Sequence, residues 1–265
     1  MKTIGLIGCG GLGGIIGAGI AERLGEHYRL VGVCDADAAM AEALAAQCGC
    51  PAFADAGTLI AAGPDYLVEA AGVGALKQIG IPALEGGCDL IALSVGAFAD
   101  EAFHQRLRET AEQLERKVHV PSGAIGGFDL MRSALWQGEL RAGIENLKPP
   151  AGLEGAPYLE GRSLPADREE RVFHGTAREA IAAFPKNVNV AVALACATTG
   201  VDRTDVEVRS VPGLSFNTHI ITLEGAFGKA RLEIASTPSE TASSSALAAY
   251  SVLARLESLC SAFVF

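Results

Sequence analysis

Six residues near the start of the chain restrict its fold more than any other feature. Gly8-Cys9-Gly10-Gly11-Leu12-Gly13 follows directly on the short apolar run Thr3-Ile4-Gly5-Leu6-Ile7. It opens a helical pattern whose apolar positions are Ile15, Ile16, Ile20 and Leu24. Glycines 8, 10 and 13 fit the spacing G-x-G-x-x-G, and each has a separate reason to be glycine. The first permits a tight turn, the second lets a pyrophosphate approach the backbone, and the third lets helix and strand pack closely. The free N–H groups and positive dipole end of the helix then face the phosphates.

The spacing alone is a weak signal, but its context supports it. A second strand, Leu30-Val31-Gly32-Val33-Cys34, ends in Asp35, 22 residues beyond Gly13, where a dinucleotide site places a carboxylate on the adenosine ribose. A carboxylate accepts hydrogen bonds from a 2′-hydroxyl and repels a 2′-phosphate. With Ala36 rather than an arginine beside it, Asp35 favours NAD, while leaving NADP open. Asp37 reads as the N-cap of a helix over 38–47.

The alternation continues with strands at 65–70, 88–93 and 117–120 and helices at 75–85 and 101–116. Short apolar strands separated by helices imply a parallel sheet covered on both faces. Three small-residue loops, 71–74, 94–97 and 122–127, fall at the carboxyl ends of these strands, where such sheets bind ligands.

Composition removes several function classes. Lys plus Arg is 21 and Asp plus Glu 31, a formal net charge of −10, which opposes nucleic-acid binding and a polybasic membrane anchor. Hydrophobic residues make up 49%, enough for a sizeable core. Lys2 and the stretch ending Leu6-Ile7-Gly8-Cys9 superficially resemble a signal peptide. The apolar segment is too short for one, and seven glycines interrupt it between Gly5 and Gly17. The seven cysteines show no zinc spacing and read as reduced thiols, so no metal is expected and the expected compartment is the cytoplasm.

From about residue 121 the alternation stops. Residues 149–171 read as a long loop, and Thr176-Ala177-Arg178-Glu179 as a capping box opening a short helix. A second helix runs from 188 to about 198, with Asn187 its simplest N-cap. After Asp205 the period becomes 2, through Val206, Val208, His219, Ile221 and Leu223. A turn at 224–228 precedes a cleanly alternating strand at 229–234. The expected organisation is an N-terminal Rossmann doubly wound parallel sheet over 1–120, followed over 121–240 by an α+β domain with an antiparallel or mixed sheet for substrate and dimerisation. A terminal helix within 241–265, with Leu247, Tyr250, Leu253, Ala254 and Leu256 inward, is placed to pack back on the first domain.

Among five histidines, His27 and His104 read as solvated and His119 as a core residue, while His174 is ambiguous. By period His219 belongs to the core, yet Asn217-Thr218-His219 is a polar setting after a Pro212-Gly213 turn, which suits a rim position. Asn189 would present an amide near a helix end. Lys148, before Pro149-Pro150, reads either as a solvated loop lysine or as a grip for a carboxylate.

These residues resemble the L-aspartate dehydrogenase family. The resemblance rests on Gly8–Gly13, on the 94–97 and 122–127 loops, on Gly175-Thr176-Ala177-Arg178-Glu179-Ala180, on Phe184-Pro185-Lys186-Asn187-Val188-Asn189-Val190-Ala191 and on Asn217-Thr218-His219. It implies NAD-dependent oxidative deamination of L-aspartate to iminoaspartate, and thence oxaloacetate and ammonium, feeding NAD biosynthesis. It makes His219 the active-site histidine and Ala124 and Asn189 NAD contacts. Lys148, Ser122 and Asn187 are the expected substrate contacts, and a homodimer the expected assembly. The 71–75 loop lacks a histidine common in the family, and His174 stands where an acidic residue is usual. The competing readings are a dehydrogenase of another small amino or hydroxy acid and a non-catalytic NAD sensor.

Overall fold

The computed structural model describes residues 1–185, 188–239 and 242–264. The chain divides into two compact units, one built from residues 1–123 and the C-terminal helix, the other from 124–239.

The first unit begins β1 (Lys2–Ile7), α1 (Gly11–Arg23), β2 (Tyr28–Cys34), α2 (Ala38–Cys48), β3 (Ala52–Phe53) and α3 (Ala56–Ala61). It continues β4 (Tyr66–Glu69), α4 (Val73–Glu85), β5 (Asp89–Ala92), α5 (Glu101–Gln113) and β6 (Val118–His119). The strands form one parallel sheet in the order β3-β2-β1-β4-β5-β6, a Rossmann arrangement. The order reverses between β1 and β4, which opens a crevice at their carboxyl ends. The helix starts are chemically specified. Asp37 accepts from Ala39 N–H, Asp55 from Thr58 N–H and Asp100 from Phe103 N–H. Left-handed Gly49 ends α2. The short β3 and α3 carry no readable period, and the sequence does not announce them.

The C-terminal helix (Ala246–Cys260) completes this unit by packing on α1. Ala248, Ala249, Val252 and Leu256 join the core formed by Ile16, Ile20 and Leu24, and the Tyr28 hydroxyl donates to the Leu256 carbonyl at 2.8 Å. Two expected core residues lie elsewhere: Leu247 is 41% and Tyr250 50% exposed. Ala254 is also exposed. The inward face carries Leu256 as well as Ala248, Ala249 and Val252, and the close approach is made on the α1 side, where Gly19 leaves room for Leu253. A Cβ at Gly19 would lie 2.3 Å from Leu253 Cδ1.

The second unit comprises α6 (Phe128–Leu135), β7 (Leu140–Lys148), β8 (Glu170–Thr176), α7 (Ala177–Ala183), α8 (Asn189–Ala197), β9 (Asp205–Ser210), β10 (Asn217–Gly225) and β11 (Gly228–Ser236). Its sheet is mixed, in the order β11-β10-β7-β9-β8, with β7 and β9 parallel and the other neighbours antiparallel. The capping box forms as expected, Thr176 and Glu179 bonding reciprocally at the start of α7. The 149–171 segment holds two short 3-10 turns, with Leu153 and Leu159 buried. β7 and β8 were not expected: Lys148 ends a strand rather than lying in a loop. No helix among the described residues is long and apolar enough to cross a membrane.

Candidate active site

In the first unit the glycine loop joins β1 to α1 at the point where the strand order reverses. Gly8 has φ of +96°, and a Cβ there would sit 2.5 Å from the Ala70 carbonyl carbon after β4. A Cβ at Gly13 would sit 1.9 Å from the Gly8 carbonyl oxygen. At Gly10 and Gly14, by contrast, a Cβ would meet nothing within 4 Å. Gly10 caps α1 without a side-chain hydrogen bond, and the first turn of α1 holds no acidic residue. Open space over unshielded N–H groups, with no competing carboxylate in that turn, is a cradle that fits a pyrophosphate. Asp35 closes one side of the loop. Its carboxylate accepts from Cys9 N–H at 2.6 Å and Asp37 N–H at 2.9 Å, and its remaining lone pairs suit ribose hydroxyls.

A second carboxylate at the rim escaped the sequence reading. Glu69, fully buried at the end of β4, accepts from the N–H groups of Ala71, Gly72 and Ser94 and from Ser94 Oγ, at 2.7–3.0 Å. It thereby ties the loops after β4 and β5 together. Burial pushes its carboxyl pKa up while the four donors pull it back. Farther along, Gly123 N–H donates to Ser251 Oγ of the C-terminal helix at 3.0 Å, and Ser122 beside it is half-buried.

The polar cluster of the second unit lies on one face of its sheet. Alternation along β7 turns Ala142, Ile144, Asn146 and Lys148 inward, and the β10 register sets His219 opposite Asn146. His219 is 3% exposed, Lys148 4% and Asn146 0%. His219 Nδ1 lies 2.9 Å from Asn146 Oδ1, and Lys148 Nζ donates to Asn217 Oδ1 at 3.3 Å. Among the described residues no carboxylate pairs with Lys148. Ser210, its cross-strand neighbour on β9, has a buried hydroxyl with no partner. Burial lowers the Lys148 pKa to about 8. Burial first, and the Lys148 charge second, lower His219 to about 3. An uncharged imidazole beside an ammonium that lacks a counter-ion is equipped to take a proton and to hold an anion.

Sequence reasoning named His219 and Lys148, and the structure brings them together. It missed Asn146, Asn217 and Ser210 as members of the group. Asn189 is the half-buried first residue of α8, whose N-cap position is taken by Val188. Ala124 is buried in the turn before α6. Asn187 lies outside the described residues. His174, on β8 three strands from His219, pairs with Asp205 at 2.9 Å on the surface. Buried His119 in the first unit receives a hydrogen bond from Arg255.

Comparison with known proteins adds the lineage. Residues 129–259 match the family model described as aspartate dehydrogenase, C-terminal, and residues 8–121 match that of the homoserine dehydrogenase NAD binding domain. The L-aspartate dehydrogenase of Methanosarcina acetivorans is 39% identical, covering 98% of this chain and 97% of its own length. The chain belongs to the L-aspartate dehydrogenase family. Another member, from Methanospirillum hungatei, is 36% identical over 100% of this chain and 99% of its own. The crystal structure of aspartate dehydrogenase from Thermotoga maritima superposes with a TM-score of 0.73 at 26% identity, covering 100% and 99% of the two chains. The first unit is accordingly the NAD-binding domain of a family member, and the buried histidine and lysine fall in its family-specific second half.

Proposed function

We propose that the chain catalyses NAD-dependent oxidative deamination of L-aspartate, giving iminoaspartate and then oxaloacetate and ammonium. The observation that carries this reading is the buried pairing of neutral His219 with uncompensated Lys148 in a chain of this family. NAD, when bound, supplies the ring that accepts the Cα hydride. The Gly8–Gly13 loop and the α1 N-terminus hold its pyrophosphate, and Asp35 holds the adenosine ribose and disfavours a 2′-phosphate. Ala124 and Asn189 join as NAD contacts, and Ser122 and Asn187 as substrate contacts, on the family resemblance.

The residues divide the remaining work. A substrate ammonium must lose a proton before the hydride can leave Cα, and His219 receives it. Lys148 binds a substrate carboxylate, which restores the counter-ion the buried ammonium lacks, with the Asn217 and Ser210 side chains completing the pocket. Binding there also offsets the Lys148 charge, the second of the two causes that lower His219, while burial, the first, remains. The enzyme works in the cytoplasm as a homodimer joined through the second unit.

The test is NADH formation on a panel of L-amino acids with NAD and NADP, repeated in reverse with oxaloacetate and ammonium. Turnover confined to L-aspartate, reduced roughly 10²-fold or more in His219→Ala, is the expected result. Activity on a different acid moves the substrate. Cofactor binding without turnover in either direction, or an unchanged His219→Ala enzyme, overturns the proposal. Light scattering at micromolar concentration tests the dimer.

A further inference from the structure

We propose that Asn146 is a positioning residue that holds His219 in the tautomer protonated at Nδ1, so that Nε2 is the atom that accepts the substrate proton. The inference rests on the reading of His219 as the base and goes beyond it by fixing which nitrogen acts and what selects it.

The orientation of the Asn146 amide decides the matter. Its Nδ2 donates to the Glu207 carbonyl on β9 at 3.3 Å, and its Oδ1 lies 2.9 Å from His219 Nδ1. Turning the amide over would set Oδ1 against the Glu207 carbonyl, two acceptors facing each other in a buried site. The β9 backbone therefore fixes the amide, and the amide presents an acceptor to the ring. A neutral imidazole has one N–H. With that hydrogen on Nδ1, the Nε2 lone pair is left available. The other tautomer would oppose the Nδ1 lone pair to Oδ1 with no water to separate them.

The residue type follows from Lys148, two positions along the same face of β7. An aspartate at 146 would accept from Nδ1 equally well, but its charge would give Lys148 an internal counter-ion and compete with an incoming carboxylate. Asparagine supplies the acceptor without the charge. Lys148 is the charged group whose field reaches the ring, and α8, packed on β7, has Cys196 as its one ionisable side chain.

Nitrogen-15 NMR of histidine-labelled protein, without substrate and at neutral pH, reads the tautomer directly. The signals missing from His219→Gln identify the ring. A protonated Nδ1 and bare Nε2 are expected, and the reverse pattern overturns the proposal. In Asn146→Leu the Nδ1–H population should fall and kcat for L-aspartate drop at least tenfold. A wild-type tautomer in that variant also overturns it. Asn146→Asp should keep the tautomer, move the acid limb of the kcat/KM profile to higher pH and raise KM for L-aspartate. An unmoved limb counts against the clamp, because a merely structural asparagine predicts that result. Turnover on L-aspartate with an Nε2–H ring sinks this inference alone. A wild-type Nδ1–H ring that Asn146→Leu loses, without turnover on L-aspartate, supports the clamp and sinks the substrate assignment instead.

Discussion

Gly13 packs so tightly over Gly8 that a methyl group on it would lie 1.9 Å from the Gly8 carbonyl oxygen, whereas Gly10, between them, faces open space. The two positions should therefore fail differently. Gly13→Ala should lower the melting temperature by several degrees, since the clash is with backbone and cannot relax cheaply. Gly10→Ala, at a φ of −69° that alanine tolerates, should leave the melting temperature within a degree or two and weaken NAD binding at least tenfold. Thermal melts paired with NADH fluorescence titrations separate the two effects.

Lys148 ties substrate affinity to pH. Its ammonium is present below about pH 8 and lost above, so KM for L-aspartate should climb as pH rises past 8. Lys148→Met should raise KM at neutral pH roughly ten- to hundredfold, the worth of one charge-assisted contact, and flatten the rise above pH 8. Initial-rate measurements from pH 7 to 10 check both. A variant with the wild-type KM profile would remove Lys148 from the substrate site.

Asp35 braces the glycine loop and also bears on cofactor choice, and its replacement touches both roles. Asp35→Asn removes the charge but keeps a single oxygen acceptor, so either the Cys9 or the Asp37 N–H, which donate to different oxygens of Asp35, loses its partner to an amide NH2. It should narrow the NAD to NADP preference in kcat/KM by about tenfold or more, with a loss of about 1 kcal/mol of stability from the lost loop contact. Comparing both cofactors in wild type and variant measures the charge contribution.

His119 should make folding acid-sensitive. Burial first, and Arg255 second, lower its pKa to about 4 from the ordinary 6.5. The unfolded chain takes up this proton near pH 6.5 and the folded one only near pH 4. Stability should thus be unaffected above 6.5 and fall as pH drops through that interval, by about 3 kcal/mol in full. His119→Asn, which keeps an acceptor for Arg255 and cannot titrate, should have a flatter profile of unfolding free energy against pH between 6.5 and 4. Urea melts at stepped pH decide it.

Glu69 is the fourfold acceptor at the rim, and Glu69→Gln would turn a donor toward groups that already donate. A loss of about 2–4 kcal/mol is expected. Cofactor affinity should fall with it, because the loops after β4 and β5 lose their shared anchor.

The first unit was legible because its strands are short apolar runs and two of its helix starts are marked, by the Gly8–Gly13 loop and by Asp37. The second was less so, and β7 shows why. Its inward residues are Ala142, Ile144, Asn146 and Lys148, so the alternation is present but turns polar where the site begins. A reading keyed to hydrophobicity loses such a strand at the end that matters. The C-terminal helix misled in another way. Leu247 and Tyr250 face outward, while Leu253 seats against Gly19 of α1 and Ala248, Ala249, Val252 and Leu256 are buried, a pairing that depends on a glycine far away in the sequence. Lys148 read as a loop residue for the same reason that makes it interesting: nothing in the string of letters reports that a lysine is dry.

The C-terminal helix has a further consequence, for synthesis on the ribosome. The first unit takes Ala249, Val252 and Leu256 from a segment made more than a hundred residues after its sheet is finished. Until that segment emerges, Ile16, Ile20 and Leu24 on α1 wait with part of their covering absent. The second unit draws its five-stranded sheet from one continuous stretch and has no such wait. The nucleotide-binding half is thus translated first and finished last, and a nascent chain arrested near residue 240 would expose a sticky helix that a chaperone has to guard.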